Sequence, residues 1–308
     1  MIDQSMFDKK TMQGAYFALA AYVFWGIVPI YFKLIGHVSP GEILGQRVIW
    51  SVVLLLCILA ITRQLGALRV EAAIIKQLVV TSSLLSLNWL VFIYAILNNN
   101  IVETSLGYFI NPLISVFLGM IFLSERLRPL QWVAVAIASA GIIFQLVYYG
   151  RVPLIALTLA FSFGIYGLVR KNLNLPSVVG LTLESMIMLP FALAGLAWLY
   201  QAGQLNFGNA GLQTTTLLML GGFVTSFPLL CFAAAVTRLS LITMGMFQYL
   251  APSLSLIIAV TIYNEPFGFD RIITFSCIWV ALLIFTTEAF YHHRKLAGQG
   301  AKGLERRL

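Results

Sequence analysis

Apolar residues along this 308-residue chain come in blocks of about twenty, separated by short polar breaks. The blocks lack the alternation of apolar and polar positions that marks membrane strands. A helix of about twenty residues rises roughly 30 Å, enough to cross the hydrocarbon core of a bilayer. The pattern therefore predicts ten membrane-spanning helices, near residues 13–35, 42–62, 75–97, 102–123, 128–149, 152–171, 178–200, 213–237, 242–263 and 269–291.

The composition supports membrane insertion. Hydrophobic residues make up 60% of the chain and charged residues only 10%, with a mean hydropathy of +0.93. Soluble domains carry about 25% charged residues, so we predict an all-α integral membrane protein in contact with lipid. The first apolar segment exceeds the roughly 7–15 residues of a signal-peptide core, and we expect it to remain as the first span.

Positive charge gives the predicted bundle a direction. An even number of spans puts both termini on one side, and fifteen of the nineteen Lys and Arg residues fall there. The other side holds Lys33, Arg47, Arg151 and Arg271. Because loops rich in Lys and Arg stay in the cytoplasm, residues 1–12 are predicted to form a cytoplasmic N-terminus and residues 292–308 a basic cytoplasmic tail.

Several classes of function are disfavoured by the sequence. The net charge of +8 comes from short loops and the tail, so we expect no nucleic-acid partner. The three cysteines lie singly in apolar blocks and the histidines lack partners at ligand spacing, so no metal or cofactor is expected. The sequence lacks DDxxD, HExxH and GxSxG, which argues against an enzyme, and GxxxxGK[ST], which argues against ATP-driven transport.

The two halves of the chain repeat each other. A shift of 140 positions aligns SLGYFINPLISVFLGMIFLSER, residues 105–126, with GMFQYLAPSLSLIIAVTIYNEP, residues 245–266. Near the start of each half the shift is 138. Aligned pairs include Pro112 with Pro252, Glu125 with Glu265, Tyr108 with Gln248, Ser86 with Ser226, Gly26 with Gly164 and Lys33 with Lys171. We therefore predict two five-span repeats, residues 13–149 and 150–291.

An odd number of spans inverts the second repeat relative to the first. Inverted repeats are typical of secondary transporters, which bind substrate near the membrane midplane and expose it to each side in turn. The repeat therefore predicts a gradient-driven carrier of a small organic molecule. The alternative is a passive channel or a non-transporting membrane partner protein, and the sequence does not indicate an oligomeric state.

Asn111 and Pro112 interrupt an apolar run in the fourth span. Thirteen residues, roughly 20 Å of helix, separate Pro112 from Glu125, so the proline lies near mid-membrane. A proline frees a backbone carbonyl one turn earlier, which is tolerated only toward protein or a wet cavity. Pro112 and Pro252 are therefore predicted helix breaks. The polar faces around them line a central cavity or, alternatively, bond neighbouring helices: Ser105, Tyr108, Asn111 and Ser115, and Gly245, Gln248 and Ser255.

Ionisable residues inside spans cost of order 2.5–3.5 kcal/mol and are candidates for function. Glu184, about two turns into the seventh span, either carries a coupling proton or binds a cationic group, or it is a buried acid paired with a residue such as Arg170. Arg47 either binds an anionic group or extends to the outer surface. Glu42 is interpreted as a structural helix-start residue, and Glu125 as part of a loop network with nearby bases, as is Glu265.

Three further residues are candidates for substrate binding. Trp25 and Tyr166 lie in the first helix of each repeat, where an aromatic ring can stack on a ligand. Aromatic residues in membrane proteins also pack or mark interfaces, so that alternative stays open. Asn88 is a mid-span amide whose repeat counterpart is Pro228, an asymmetry that can shape selectivity.

The sequence also resembles the RarD branch of the EamA-type drug/metabolite transporter superfamily. The resemblance rests on EILGQRVIWS (42–51), LNWLVFIYA (87–95), SLGYFINPL (105–113), FSFGIYGLVRK (161–171) and MFQYLAP (246–252). It extends from about Gly14 to Tyr291. It implies ten spans in two five-helix EamA repeats, a bacterial inner-membrane location and transport of small molecules, with export as the direction.

Overall fold

The computed structural model describes residues 4–98, 101–150, 152–173, 175–263 and 268–305. Ten helical segments in these ranges are long and apolar enough to cross a membrane, as predicted. The helices are α1 (Gln4–Leu34), α2 (Pro40–Ile61), α3 (Ala72–Leu97), α4 (Ile101–Phe122), α5 (Pro129–Tyr149), α6 (Leu154–Asn172), α7 (Ser177–Gln201), α8 (Leu212–Val236), α9 (Leu241–Gln248), α10 (Leu250–Thr261) and α11 (Phe269–Glu305). A short 3-10 helix, Leu65–Leu68, follows α2, and α9 and α10 together form the ninth span.

Local signals set the helix ends. The Ser39 hydroxyl accepts a hydrogen bond from the Glu42 amide at 3.3 Å, and Pro40 occupies the first turn of α2. Gly150 ends α5 in the left-handed region with φ 77°, which glycine adopts without a steric cost. Two helices exceed their predicted spans, because α1 already begins at Gln4 and α11 continues to Glu305.

The two repeats interlock. The first helix of each repeat packs on the third and fourth helices of the other, so that α1 contacts α8 and α10, and α6 contacts α3 and α4. Equivalent helices also pair across the repeats, α2 with α7, α4 with α9 and α5 with α11. The core therefore lies between the repeats rather than inside each one, and the predicted pair of inverted five-helix repeats is confirmed.

Two glycines mark the related crossings. A Cβ on Gly26 of α1 would lie 2.6 Å from Cβ of Leu254, and one on Gly164 of α6 would lie 2.8 Å from Cγ2 of Ile114. The shift of 138 relates the glycines, and the shift of 140 relates their partners. The crossing of α1 with α10 and the crossing of α6 with α4 are therefore equivalent contacts, related by the inverted repeat.

The fourth helix differs between the repeats, and one prediction is corrected. Pro112 lies inside α4, which continues without a break. Tertiary packing keeps it continuous, because α6 lies along one side and Gly245 of α9 lies directly against the Pro112 carbonyl. In the second repeat α9 ends at Gln248, four residues before Pro252. In a continuous helix the Gln248 carbonyl would accept a hydrogen bond from the amide of residue 252, and Pro252 has no amide hydrogen to donate.

Candidate functional site

Part of each predicted polar face meets the other along the contact of α4 with α9, here called the seam. Gln248 Nε2 donates a hydrogen bond to Ser115 Oγ at 3.0 Å, and both residues are buried. Asn111 Oδ1 and Gln248 Oε1 are also buried, yet neither has a hydrogen-bond partner among the described residues. Buried polar atoms are nearly always paired with protein or water. The seam therefore offers acceptors to water or a ligand.

Tyr108, the repeat counterpart of Gln248, lies away from this contact. Its side chain is 52% exposed, and its ring centroid lies 6.4 Å from that of Phe92. The phenol is within electrostatic range of Arg47. Tyr108 is therefore grouped with the electrostatic surroundings of Arg47.

Side chains from α1, α2, α3, α4 and α8 come together around Arg47. Arg47 Nε donates a hydrogen bond to Thr225 Oγ1 at 2.7 Å. Its guanidinium carbon lies 5.1 Å from the ring centroid of Trp89 and 5.5 Å from that of Phe32, a distance at which cations are attracted to aromatic faces. We call Phe32, Arg47, Trp89, Tyr108 and Thr225 the Arg47 cluster. It draws on both repeats.

Glu184 is fully buried in α7. Its Oε2 accepts a hydrogen bond of 3.4 Å from the Tyr166 hydroxyl, whereas Oε1 has no partner among the described residues. The nearby Thr81 hydroxyl donates instead to the Leu78 carbonyl at 3.0 Å. The carboxyl group is thus only half satisfied, a costly arrangement for a charged group in a medium of low dielectric.

A buried cation accompanies Glu184. Arg170 is 1% exposed, its guanidinium lies directly against Gly180, and Nη2 donates to the Ser177 carbonyl at 3.3 Å. Its Nε and Nη1 atoms have no partner in the described chain. Arg170 acts electrostatically on Glu184 and Tyr166 without a direct ion pair among the described contacts. We call Tyr166, Arg170 and Glu184 the Glu184 cluster.

Aromatic side chains connect the two clusters. The ring of Trp25 lies 5.8 Å from Phe163 and 6.0 Å from Phe232, and the Tyr166 ring stacks on Phe232 at 5.8 Å. Trp25 and Trp89 also pack against the same apolar group, Leu55, Leu181 and Leu229. Trp25 and Tyr166 therefore belong to one aromatic layer between the repeats.

Asn88 binds a neighbouring helix. Its Nδ2 donates to the Leu159 carbonyl and to the Ser162 hydroxyl, both at 2.9 Å. Both amide hydrogens are therefore used in the contact between α3 and α6. Any substrate contact by Asn88 must use its side-chain oxygen.

Two carboxylates at the ends of spans accept hydrogen bonds from backbone amides of distant segments. The Glu42 carboxylate accepts from the backbone amides of Asn206 and Phe207 at 2.9 and 2.7 Å, which ties α2 to the loop after α7. Glu125 accepts from the amides of Leu241 and Ile242 at 2.8 and 2.9 Å. The predicted loop network around Glu125 is therefore corrected, because this carboxylate caps the start of α9, where a helix favours negative charge.

The basic partners of these loop carboxylates also differ from expectation. Lys171 Nζ lies 3.8 Å from Glu125, whereas Arg128 pairs with Glu288 at 2.6 Å. The predicted role of Glu265, the repeat counterpart of Glu125, lies outside the described residues.

Thr225 and Phe32 were not found by sequence reasoning. Each is an ordinary residue of an apolar span. The shift of 138 aligns Phe32 with Arg170, and Ser226, which pairs with Ser86, sits beside Thr225 in α8. Their role emerges only when α1 and α8 converge on Arg47.

Two open grooves on the outside of the bundle are distinct from this site. One lies between α3 and α6 with a volume of about 340 Å³, and the other lies between α1 and α8 with about 260 Å³. The repeat shifts relate Leu84 and Ile165 of the first to Val224 and Ile27 of the second. Their largely apolar linings suit contact with lipid chains.

Comparison with known proteins identifies the family. A model of the EamA-like transporter family matches residues 12–147 and again residues 151–287. Protein RarD of Escherichia coli (strain K12) is 47% identical over 290 residues, covering 93% of this chain and 98% of that protein. The chain belongs to the RarD branch of the EamA-like transporter family. It is accordingly a multi-pass membrane transporter.

Other likenesses extend over the same length. The uncharacterized transporter YojE of Bacillus subtilis (strain 168) is 43% identical, covering 90% of this chain and 94% of that protein. A crystal structure that shares 17% identity aligns with a TM-score of 0.72, covering 91% of this chain and 99% of the other. At that identity the likeness shows the fold alone.

Proposed function

We propose that this EamA-like transporter is a secondary carrier that exports a small organic molecule across the cytoplasmic membrane by alternating access. The observation that carries the proposal is a group of buried polar atoms between the repeats, on Asn111, Glu184 and Gln248, that have no partner among the described residues. An apolar seam would pack as well without them, and leaving such atoms unpaired costs about 1–3 kcal/mol each. Their position at the boundary of inverted repeats favours a substrate path.

The proposed orientation has both termini in the cytoplasm of a bacterial cell. Fifteen of nineteen basic residues then lie on the cytoplasmic side, as the positive-inside rule requires. The loop held by Glu42 would face outward, and the start of α9 capped by Glu125 would face inward. Labelling of a cysteine in the C-terminal tail by an impermeant reagent in intact cells would contradict this orientation.

Alternating access is proposed to exchange two repeat-related interfaces, α2 with α8 and α3 with α7. The first is extensive: a Cβ on Gly222 would lie 2.6 Å from Cβ of Trp50, and Ser51 Oγ donates to the Gly222 carbonyl at 3.3 Å. The second is smaller and includes Ser82 Oγ bonded to the Glu184 carbonyl at 3.3 Å. The conformation described is then closed toward the outside, and its counterpart closes α3 on α7.

Glu184 is proposed to couple transport to protons. Its backbone lies in the α3–α7 interface, and its half-satisfied carboxyl interacts electrostatically with Arg170, without a direct ion pair among the described contacts. Gain or loss of a proton changes the charge that this interface must bury. Because burial of an uncompensated charge is expensive, the protonation state of Glu184 biases which of the two interfaces is closed.

A flux experiment in proteoliposomes tests carrier and coupling together. A thermal-shift screen against metabolites and antibiotics first supplies a substrate, and saturable counterflow then distinguishes a carrier from a channel. For Glu184→Gln we expect substrate accumulation driven by a pH gradient to fall at least about tenfold, a barrier change of roughly 1.4 kcal/mol. Counterflow at equal pH should persist, because exchange needs no net proton movement.

Glu42→Gln is the matched control. It makes the same chemical change in a carboxylate that holds a loop, so it should lower stability while leaving the pH-driven accumulation intact. Full pH-driven flux in Glu184→Gln would rule out this carboxyl group as the coupling site. Conductance without counterflow would instead favour a channel.

A further inference from the structure

Arg47 carries a positive charge that no acid among the described residues neutralises. The described ion pairs involve Arg128 and Lys171, and among the described residues Arg47 makes one hydrogen bond, from Nε to Thr225. In the described chain its terminal Nη1 and Nη2 atoms bond nothing, and the side chain is partly buried. A guanidinium group in this state presents the two parallel donors that bind a carboxylate in bidentate fashion.

The walls around this guanidinium are aromatic. Trp89 and Phe32 stand 5.1 and 5.5 Å from its central carbon, and both rings are themselves only partly buried. Aromatic faces attract a cation without cancelling its charge. The cluster thus keeps Arg47 charged in a membrane span and leaves it able to attract an anion.

The stem of Arg47 is held by the second repeat. A Cβ on Gly221 of α8 would lie 3.1 Å from Arg47 Cγ and 2.9 Å from the Tyr31 hydroxyl. That hydroxyl donates to the Leu217 carbonyl at 3.0 Å, so it fixes the position of α1 against α8. Together with Thr225, these contacts position the guanidinium across the boundary between the repeats, where motion of one repeat moves its surroundings.

We infer that the Arg47 cluster is an oxyanion subsite and that the transported molecule is a small organic acid with a flat or aromatic body. Its carboxylate binds the free Nη1 and Nη2 donors of Arg47, and its body packs against Trp89. This inference rests on the proposed carrier function and adds a substrate class to it. A carboxylate supplies the negative charge that the described surroundings of Arg47 lack.

A lipid phosphate is the other source of the same oxyanion chemistry. The groove between α1 and α8 includes Tyr31 and Val224 and is open to the outer surface of the bundle. A headgroup phosphate entering there would approach the same side of α8 as Arg47. The experiment therefore needs one arm with an anionic lipid and one without.

The test measures binding of benzoate and of benzamide, its uncharged analogue of the same shape. The full-length protein is held in phosphatidylcholine nanodiscs, and binding is followed by equilibrium dialysis. We expect benzoate to bind at least about tenfold more tightly than benzamide. Arg47→Gln should abolish this preference. Arg47→Lys should retain about a third of it or less, because lysine keeps the charge but lacks the two parallel donors that bind a carboxylate in bidentate fashion.

Arg238→Gln is the matched control for the loss of one positive charge. Arg238 also lies over an aromatic ring, 5.3 Å from Phe17, and donates to the Ala234 carbonyl at 2.6 Å. It should leave the benzoate preference unchanged. An equal loss in both variants would mean that net charge alone attracts benzoate, and would overturn the subsite.

Other outcomes separate the subsite from its alternatives. Equal binding of benzoate and benzamide to the unaltered protein overturns the inference, whether or not any variant folds. Loss of the preference in nanodiscs with phosphatidylglycerol reassigns the subsite to a lipid headgroup and overturns the soluble acid. Benzoate preference without saturable counterflow would support the subsite and contradict the carrier. Saturable counterflow of neutral compounds without benzoate preference would support the carrier and overturn the subsite.

Discussion

The fourth helices of the two repeats carry a proline at the same aligned position, yet only one of them is interrupted. In the first repeat α4 passes through Pro112, whereas in the second the helix is divided at Tyr249, just before Pro252. Both prolines remove one backbone donor. The difference therefore lies in what surrounds them and not in the residue itself.

The two fourth helices have equivalent neighbours in α6 and α1, and their surroundings differ on the other side, where α9 packs closely on α4 but α10 makes little contact with α4. α4 is held between α6 and α9, and the Pro112 carbonyl meets Gly245. Around Pro252 the neighbour is α1, where the Ala251 carbonyl would lie 3.2 Å from a Cβ on Gly26. Because the repeats are inverted, we interpret the continuous and the divided helix as two states of one element. Alternating access would then require the two helices to exchange these shapes.

The largest effect should come from filling the contact between Gly245 and Pro112 that packs α9 against the continuous α4. In Gly245→Leu the new Cβ would lie 2.6 Å from the Pro112 carbonyl oxygen, and neither backbone can yield easily. Overpacking of this kind costs about 1–3 kcal/mol or more. We expect a lower thermal unfolding midpoint and no measurable counterflow.

Gly195→Leu is the control for this prediction. Gly195 also lies inside a long helix, α7, but a Cβ there would meet nothing within 4 Å. Its stability and transport should therefore match those of the unaltered protein. Equal behaviour of the two leucine variants would mean that the α4–α9 contact is not constrained.

An intermediate effect is expected from a substitution that makes the divided helix continuous. Pro252→Ala restores an amide hydrogen that can bond the Gln248 carbonyl, and interior prolines cost helices about 3 kcal/mol. If the division is needed for exchange, counterflow should slow about tenfold, a barrier increase of roughly 1.4 kcal/mol. Amide hydrogen exchange between residues 248 and 253 should slow as well.

Pro112→Ala provides the comparison. Because α4 is already continuous, counterflow should stay within about twofold of the unaltered rate, since no hinge is removed. Equal slowing by the two alanine variants would show that the division at Tyr249 has no special part in transport.

Much of this fold was predictable because its signals are spread over many residues. Each span leaves a long apolar block, and the duplication leaves repeated residues at nearly constant shifts. The predicted break at Pro112 failed for the opposite reason. It relied on the preference of one residue, which tertiary packing by α6 and Gly245 overrides.

The candidate site was predictable only in part. Arg47 and Glu184 stand out because charge inside a span is rare and costly. Their partners do not, since Thr225 and Phe32 resemble any residues of an apolar helix. The hydrogen bonds from the Asn88 amide to α6 likewise depend on which helices pack together, and a hydropathy pattern does not show that.

The smallest effect concerns the hydrogen bond across the seam. A double-mutant cycle of Ser115→Ala and Gln248→Met removes the 3.0 Å bond from Gln248 Nε2 to Ser115 Oγ. Hydrogen bonds between helices in membranes contribute about 0.6 kcal/mol on average, and we expect a coupling of that size in the free energy of unfolding. The aligned serine of the second repeat, Ser255, donates instead to the Gly26 carbonyl at 3.0 Å. Ser255→Ala should therefore show no coupling to Gln248→Met, and equal coupling for both serines would mean that the cycle reports general loosening of the bundle.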